Sequence, residues 1–470
     1  MAPTLEDLRA ERTRVEASAD LVELRLDALE AIDVRGALEG RKKPVILTCR
    51  PRWEGGRFAG SEEERKRILA DAIASDADYV DIECRADFED LVLARGGHGI
   101  VLSMHQFDVI PFDLGARLTA MAAMGAEVVK IAVRVERLSD TLRLLELQRR
   151  VPGQKLVVIG MGPKGATTRI LASRFGSVWM YAGRDAPSEQ IPLDTLLDCY
   201  RFRRVSAATR VYAIAGEPLG HSLSPAMHNA GFDAADLDAV YVPLETDSAD
   251  DLLAAGDAFG VSGVSVTAPL KIALLDRVRR RDEWVESVNA LNTLKRESDG
   301  WHATNTDVPG FLEALRDESL HGVRATVMGA GGAARAAVAA LRSRGADVTV
   351  AARRRRMAAM LAGPGGAVAA FPPGAGTWDL LVNTTPVGTW PRVEDTPVPA
   401  PLLSGGRIVY DLVYNPPVTR LLREAAAAGC RTIGGLEMLI AQAERQFEWW
   451  TGQPPAPGLF RKVAHASNVV

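Results

Sequence analysis

Val128-Val129-Lys130-Ile131-Ala132-Val133 is an apolar run of strand character broken by one ammonium group. A lysine in such a run loses hydration, which predicts a lowered pKa and a lone pair free for proton transfer or carbonyl attack. Comparable runs lie on either side: Leu21 to Leu26, Val45 to Arg50, Tyr79 to Cys84, Ile100 to His105, Leu156 to Met161 and Val178 to Tyr181, with helical patterns between them. Strict alternation over roughly 200 residues predicts parallel strands, and a (β/α)₈-type barrel is the economical closure. The runs number seven rather than eight, and Leu5 to Ala17 reads as a helix, so the first barrel strand is expected to be missing, with the chain starting late or truncated.

Polar residues fall at the C-terminal ends of these runs: Arg25, Asp27, Arg50, Glu83, His105, Lys130 and Met161. That end is the catalytic face of a barrel of this kind. Glu54, in a loop after one strand, can reach His105 after another and fix its tautomer. Lys130 and His105, with Arg25, Arg50 and Arg169 to hold an anion, suit a Schiff-base site. A solvated strand-end lysine or a structural histidine is the bland alternative for each taken alone.

Composition sets the outer limits. The 470 residues exceed what one core usually organises, and 47% apolar content is ordinary for a globular protein. A net charge of -4 predicts no general attraction to nucleic acid or an anionic membrane. No apolar run approaches the roughly 18 residues of a membrane span, and the acidic opening Met1 to Asp7 lacks a targeting pattern, so the cytoplasm is expected. Cys49, Cys84, Cys199 and Cys430 are scattered and read as packing residues rather than ligands, and no metal is expected.

Glu23-Leu24-Arg25-Leu26-Asp27, Arg50 with Glu54-Gly55-Gly56, Ser103-Met104-His105-Gln106-Phe107, Val129-Lys130-Ile131-Ala132 and Met161-Gly162 with Thr168-Arg169 together resemble type I 3-dehydroquinate dehydratase over residues 5 to 200. The resemblance implies that Lys130 forms an imine with the C3 ketone of 3-dehydroquinate. His105 would remove a C2 proton and return it to the departing C1 hydroxyl, with Glu54 orienting it. Arg169 would hold the carboxylate, and Glu23, Arg25, Arg50 and Gln190 would serve the ring hydroxyls or their partners. The family's lid serine corresponds to Asp185 or Ser188.

A second lysine, Lys271, follows Gly263-Val264-Ser265-Val266-Thr267-Ala268-Pro269-Leu270. Further on, the predicted strand Ala325 to Met328 runs into Gly329-Ala330-Gly331-Gly332-Ala333-Ala334, a phosphate-cradling Gly-x-Gly-x-x-Ala turn before an Ala-rich helix. Where an NAD site usually carries an acid for the ribose, Ala352 is followed by Arg353, Arg354, Arg355 and Arg356. Guanidinium groups there favour the 2′-phosphate of NADP, with Arg353 foremost and Arg354 or Arg356 assisting. Gly363 to Gly376 reads as a surface loop.

Gly220-His221-Ser222-Leu223-Ser224-Pro225-Ala226-Met227-His228-Asn229, Lys271, Asn289 to Thr293, Asn305-Thr306-Asp307, Asp411 to Pro416 and Gly434 to Gln442 resemble shikimate dehydrogenase over residues 210 to 452. That resemblance places Ser222, Ser224, Thr267, Asn292, Asp307, Gln442 and Tyr414 around the substrate, with Lys271 and Asp307 as the catalytic pair. His221 and His228 are read as loop structure.

The expected chain is therefore a dehydratase barrel at 1–205, a substrate-binding domain at 209–320 completed by 430–455, and a Rossmann NADP-binding domain at 321–429. It would convert 3-dehydroquinate to 3-dehydroshikimate and reduce that with NADPH. Rival readings are a quinate dehydrogenase in the second half, or a non-catalytic metabolite sensor on the same folds.

Overall fold

The computed structural model describes residues 3–183, 190–220 and 222–467. The chain separates into two compact units, Met1–Leu193 and Asp194–Val470. The division falls ahead of the expected boundary at 205. Between Leu193 and Val205 lie two short helical pieces, Thr195–Cys199 and Phe202–Arg204, broken by Arg201 in the left-handed region (φ 51°).

The first unit is built on a parallel sheet whose strands follow chain order: β1 (Val22–Arg25), β2 (Val45–Thr48), β3 (Tyr79–Glu83), β4 (Ile100–Gln106), β5 (Val128–Arg134) and β6 (Lys155–Met161). Sequential order with a helical crossover between neighbours is the β/α-barrel pattern. The seventh expected strand, Val178 to Tyr181, is not one. Among the described residues its backbone pairs with the sheet there as an isolated parallel bridge, Leu156 to Ser177, with the Val178 N–H donating to the Leu156 carbonyl at 2.9 Å. Register aligns the polar positions: Thr48 pairs with Asp81, Glu83 with Ser103, and Ser103 with Lys130. The helix Glu62–Ala74 starts at Ser61, whose side chain accepts the Glu64 N–H, and its first turn is acidic, as the exposed donors of a helix start favour. That helix buries Arg65 completely against the sheet.

The second unit holds two sheets. One comprises β7 (Arg210–Gly216), β8 (Ala239–Glu245), β9 (Val261–Val266), β10 (Arg280–Arg281), β11 (Thr293–Glu297) and β12 (Gly300–Thr304), in the order β10-β12-β11-β9-β7-β8. Only β11 runs antiparallel to its neighbours. The other comprises β13 (Arg324–Met328), β14 (Asp347–Ala351), β15 (Ala367–Ala369), β16 (Leu380–Asn383), β17 (Ile408–Asp411) and β18 (Arg431–Gly434). Its order, β15-β14-β13-β16-β17-β18, is parallel throughout and reverses beside β13, the switch point at which doubly wound sheets bind nucleotides. Strand β15 lies inside the stretch expected to be a loop, because Ala367–Ala369 can pair with Thr349–Ala351 despite the flanking glycines.

The helix Gly435–Thr451 leaves the second sheet and packs on the first, where the Trp450 indole N–H donates to the Leu294 carbonyl at 2.9 Å. Trp450 and Phe447 join Tyr212, Phe232 and Phe460 in one apolar cluster. His228 belongs to that cluster rather than to a loop. It lies in the helix Ser224–Ala234, stacks on Tyr241 at 4.5 Å, and is driven down to a pKa of about 3 by burial despite neighbouring Gln446. Among the described residues no helix is long and apolar enough to cross a membrane.

Candidate active sites

In the first unit the sheet register gathers the charges around Lys130. Its Nζ donates to Asp81 Oδ2 at 3.2 Å, lies 4.0 Å from Glu23 Oε1, and sits 4.2 Å from the centre of the Tyr181 ring. Arg50 is the hub beside it. One amino group donates to Asp81 Oδ2 at 2.9 Å, the other to Glu83 Oε1 at 2.8 Å and Ser103 Oγ at 2.7 Å. Ser103 in turn donates to Asp81 Oδ1 at 2.5 Å. Arg65 closes the far side by pairing with the second oxygen of Glu83 and with Glu62. Lys130, Arg50, Asp81 and Glu83 are all buried.

The expected loss of the Lys130 proton is corrected by these neighbours. Burial alone lowers its pKa, but Tyr181, Asp81 and Glu23 outweigh burial and raise it. Burial pushes the Tyr181 phenol up to about 12, so it is uncharged at ordinary pH and the two carboxylates hold the ammonium. His105 goes the other way: burial, then the cations Arg50 and Lys130, hold it well below its usual value. Glu54 accepts the His105 backbone N–H at 2.8 Å and lies 3.2 Å from its Nδ1 with the same oxygen. Glu54 is raised, chiefly by burial.

The other expected residues differ in how free they are. Arg25 forms a two-point pair with Asp27 at 2.7 and 2.8 Å, and Asp27 also accepts the Arg50 and Arg57 backbone N–H groups. Arg25 and Arg50 are therefore committed within the protein and shape the site through their partners. Glu23 accepts the Thr48 hydroxyl at 2.7 Å. Arg169 is buried and donates to the Gly162 carbonyl at 3.0 Å. Gln190 is exposed, while Asp185 and Ser188 lie outside the described residues.

In the second unit Lys271 Nζ lies 2.5 Å from Asp307 Oδ2. Asp307 Oδ1 accepts the Asn292 amide at 2.8 Å, and the Asn292 oxygen accepts the Thr306 backbone N–H at 2.7 Å, which fixes the orientation of that amide. Thr293 and Gln446 continue the buried chain at 2.8 and 2.9 Å. Ser222 accepts the Ser224 N–H at 3.3 Å, Gln442 donates to the Leu439 carbonyl at 2.9 Å, and burial raises Tyr414. Thr267 follows β9, and its N–H donates to the Ala215 carbonyl at 2.8 Å. His221 lies outside the described residues.

The glycine-rich turn adjoins this pair. Gly329 has φ 119°, which favours glycine, and a Cβ there would meet Thr384 Oγ1 at 2.3 Å. Ala330 links it to Gly331, beside which a Cβ would meet open space, and the helix Gly332–Ser343 starts next, carrying Ala333 in its first turn. A Cβ on Gly332 would stand 3.0 Å from Lys271 Cδ, so the stem of the lysine rests on the turn. Arg353, Arg354, Arg355 and Arg356 are exposed at the end of β14, and none has an ion pair with a described carboxylate. An open turn at a helix N-terminus, with unpaired guanidinium groups at the next strand end, fits a dinucleotide carrying a 2′-phosphate.

Asp81, Ser103, Arg65 and Tyr181 were not singled out by sequence. Asp81 carries the signal that marked Lys130, a charge inside the apolar run Tyr79-Val80-Asp81-Ile82-Glu83.

Three family models match the chain: type I 3-dehydroquinase over residues 1–207, shikimate dehydrogenase substrate binding domain over 214–294, and shikimate 5'-dehydrogenase C-terminal domain over 435–465. The chain is 34% identical to the bifunctional 3-dehydroquinate dehydratase/shikimate dehydrogenase, chloroplastic, of Arabidopsis thaliana, over 98% of this chain and 83% of that one. It is 40% identical to the shikimate dehydrogenase (NADP(+)) of Moorella thermoacetica, over 55% of this chain and 94% of that one. A crystal structure of shikimate 5-dehydrogenase from Thermus thermophilus in complex with NADP(H) and shikimate superposes with a TM-score of 0.51 at 36% identity, covering 55% of this chain and 99% of that one. Two lysine-centred sites in two compact units, each in the family order of its motifs, agree with that full-length match: the chain belongs to the family of bifunctional 3-dehydroquinate dehydratase/shikimate dehydrogenases.

Proposed function

We propose that the chain dehydrates 3-dehydroquinate in its first unit and reduces the resulting 3-dehydroshikimate with NADPH in its second. The observation that carries the reading is that each unit has its own buried or half-buried lysine paired with a carboxylate, Lys130 with Asp81 and Lys271 with Asp307.

In the dehydratase site Lys130 condenses with the C3 ketone. The C–N bond forms, the C–O bond breaks and the oxygen leaves as water, so an ammonium becomes an iminium with no net release of protons. Only a transient neutral amine is needed for attack. The carboxylates around Lys130 therefore suit the iminium as well as the resting ammonium. The iminium draws electrons from the C2–H bond, and His105, uncharged in this setting, accepts that proton. Returned to the C1 oxygen, the proton lets the hydroxyl depart as water, and addition of one water to the product iminium breaks the C–N bond, restoring the C3 ketone and the Lys130 ammonium. Arg169 supplies a guanidinium for the substrate carboxylate, and Gln190 approaches the ring hydroxyls.

In the dehydrogenase site the nicotinamide would supply a hydride to the C3 ketone. Lys271 donates a proton to the developing alkoxide and places a cation beside it, while Asp307 and Asn292 hold the lysine in place. Ser222, Ser224, Thr267, Tyr414 and Gln442 supply the hydroxyl and amide groups that suit a polyhydroxylated acid. Arg353, with Arg354 and Arg356, would hold the 2′-phosphate, and the Gly329 to Ala333 turn would hold the pyrophosphate.

The test is to supply 3-dehydroquinate and NADPH together and follow NADPH consumption. Oxidation of NADPH that depends on 3-dehydroquinate, and yields shikimate, is expected. No consumption with 3-dehydroquinate but normal consumption with 3-dehydroshikimate would remove the first activity from the reading.

A further inference from the structure

Tyr181 follows the bridge that ties Ser177 to Leu156, and its ring packs with Trp179 and Tyr79 against Val101, Val128 and Val157 inside the first sheet. Lys130 Nζ stands over that ring, 4.2 Å from its centre. The other groups acting on Lys130 come from separate elements: Asp81 on β3, Glu23 on β1, His105 on β4, and Arg50 just after β2. The carboxylates and the cations oppose one another, so the ring is the neutral wall of the site.

The chemistry distinguishes that wall from the carboxylates. An ammonium has three N–H bonds to offer Asp81 and Glu23, whereas an iminium has one. The capacity of the resting lysine to donate to Asp81 while facing Glu23 is therefore reduced when the imine forms. Attraction between a cation and the face of an aromatic ring depends on charge and distance rather than on N–H direction, and it strengthens when the pair is desolvated. The positive charge given up while the neutral amine attacks is restored on Nζ when the iminium forms, and the ring face then regains its hold.

On the reading that Lys130 forms an imine, we propose that Tyr181 is a catalytic residue of the dehydration, its ring face stabilising the Lys130 iminium from which the C2 proton is drawn.

The full-length enzyme carrying Tyr181→Phe, Tyr181→Leu, or pentafluorophenylalanine at position 181 tests this. The fluorinated ring keeps the shape and reverses the charge of the face, so it separates electrostatics from packing. With 3-dehydroquinate, Tyr181→Phe should retain kcat within about threefold, while the fluorinated and Leu variants should lose about ten- to thirtyfold in kcat with little change in KM. Borohydride trapping of the Lys130 peptide in the first turnover should fall in the same order. A fluorinated variant as fast as the Phe variant would overturn the proposal, whether or not the Leu variant folds. Absence of borohydride adduct on Lys130 in the unmodified enzyme would instead defeat the imine reading beneath it.

Discussion

Asp307 divides its two oxygens between Lys271, at 2.5 Å, and the Asn292 amide, at 2.8 Å. The carboxylate is thus held from behind by a group whose own orientation is set by a backbone N–H. Lys271→Ala should remove reduction of 3-dehydroshikimate by at least about a hundredfold, the usual scale of a lost proton donor, while dehydration continues. Separate assays of the two steps check this, and a folded variant that loses both would contradict independent sites.

Arg353→Gln with Arg354→Gln and Arg356→Gln should weaken NADPH by roughly ten- to a hundredfold in KM and leave NADH nearly unchanged, since only the former loses charge-assisted hydrogen bonds. The three arginines are exposed, so the fold should tolerate the change. Equal efficiency of the unmodified enzyme with both nucleotides would count against a 2′-phosphate site.

The dehydratase should stay active below the usual histidine titration. On the proposed mechanism His105 is the uncharged base; burial with Arg50 and Lys130 lowers its pKa, so the neutral form persists as pH falls past 6.5 and is lost only at the lowered value. The acidic limb of kcat/KM, which reports the free enzyme, should therefore lie below pH 6.5. A limb at or above that value would show that His105 is not the group titrating.

His228 gives a stability prediction free of catalysis. Its folded pKa of about 3 lies below the unfolded value of 6.5, so the unfolded chain binds the extra proton and stability drains away as pH falls from 6.5 towards 3. His228→Leu should flatten that acid-side loss in denaturant titrations of the full chain, with reduction of 3-dehydroshikimate retained. An unchanged slope between pH 6.5 and 4 would assign the acid sensitivity elsewhere.

The fold was legible where periodicity and turn chemistry act locally. The runs carrying Arg25, His105 and Lys130 are strands, and the Gly329 to Ala334 turn is the start of a helix beside a switch point. Val178 to Tyr181 has the composition of a strand yet makes only a bridge, because aromatic packing of Trp179 and Tyr181 into the sheet interior competes with pairing. The raised pKa of Lys130 is hidden from its own run for a different reason. Burial is visible in the run itself, whereas Asp81 and Glu23 arrive from other strands through register. His228 looked like loop chemistry because its neighbours Ser222 and Ser224 are polar, but the helix turns it into an aromatic core. Arg65, fully buried three residues after Glu62, has no local mark at all.

The contact between Gly332 and the Lys271 stem also bears on how the chain can drift or be re-engineered. On the proposed reading the arginines would act on the cofactor alone, whereas position 332 touches both the proposed phosphate turn and the Lys271 stem. A side chain there would crowd the stem of Lys271, the proposed proton donor, so a survey of variants at Gly332 should register as a defect in turnover. Selection acting only on substrate chemistry would then suffice to preserve a glycine that sequence inspection credits to the phosphates.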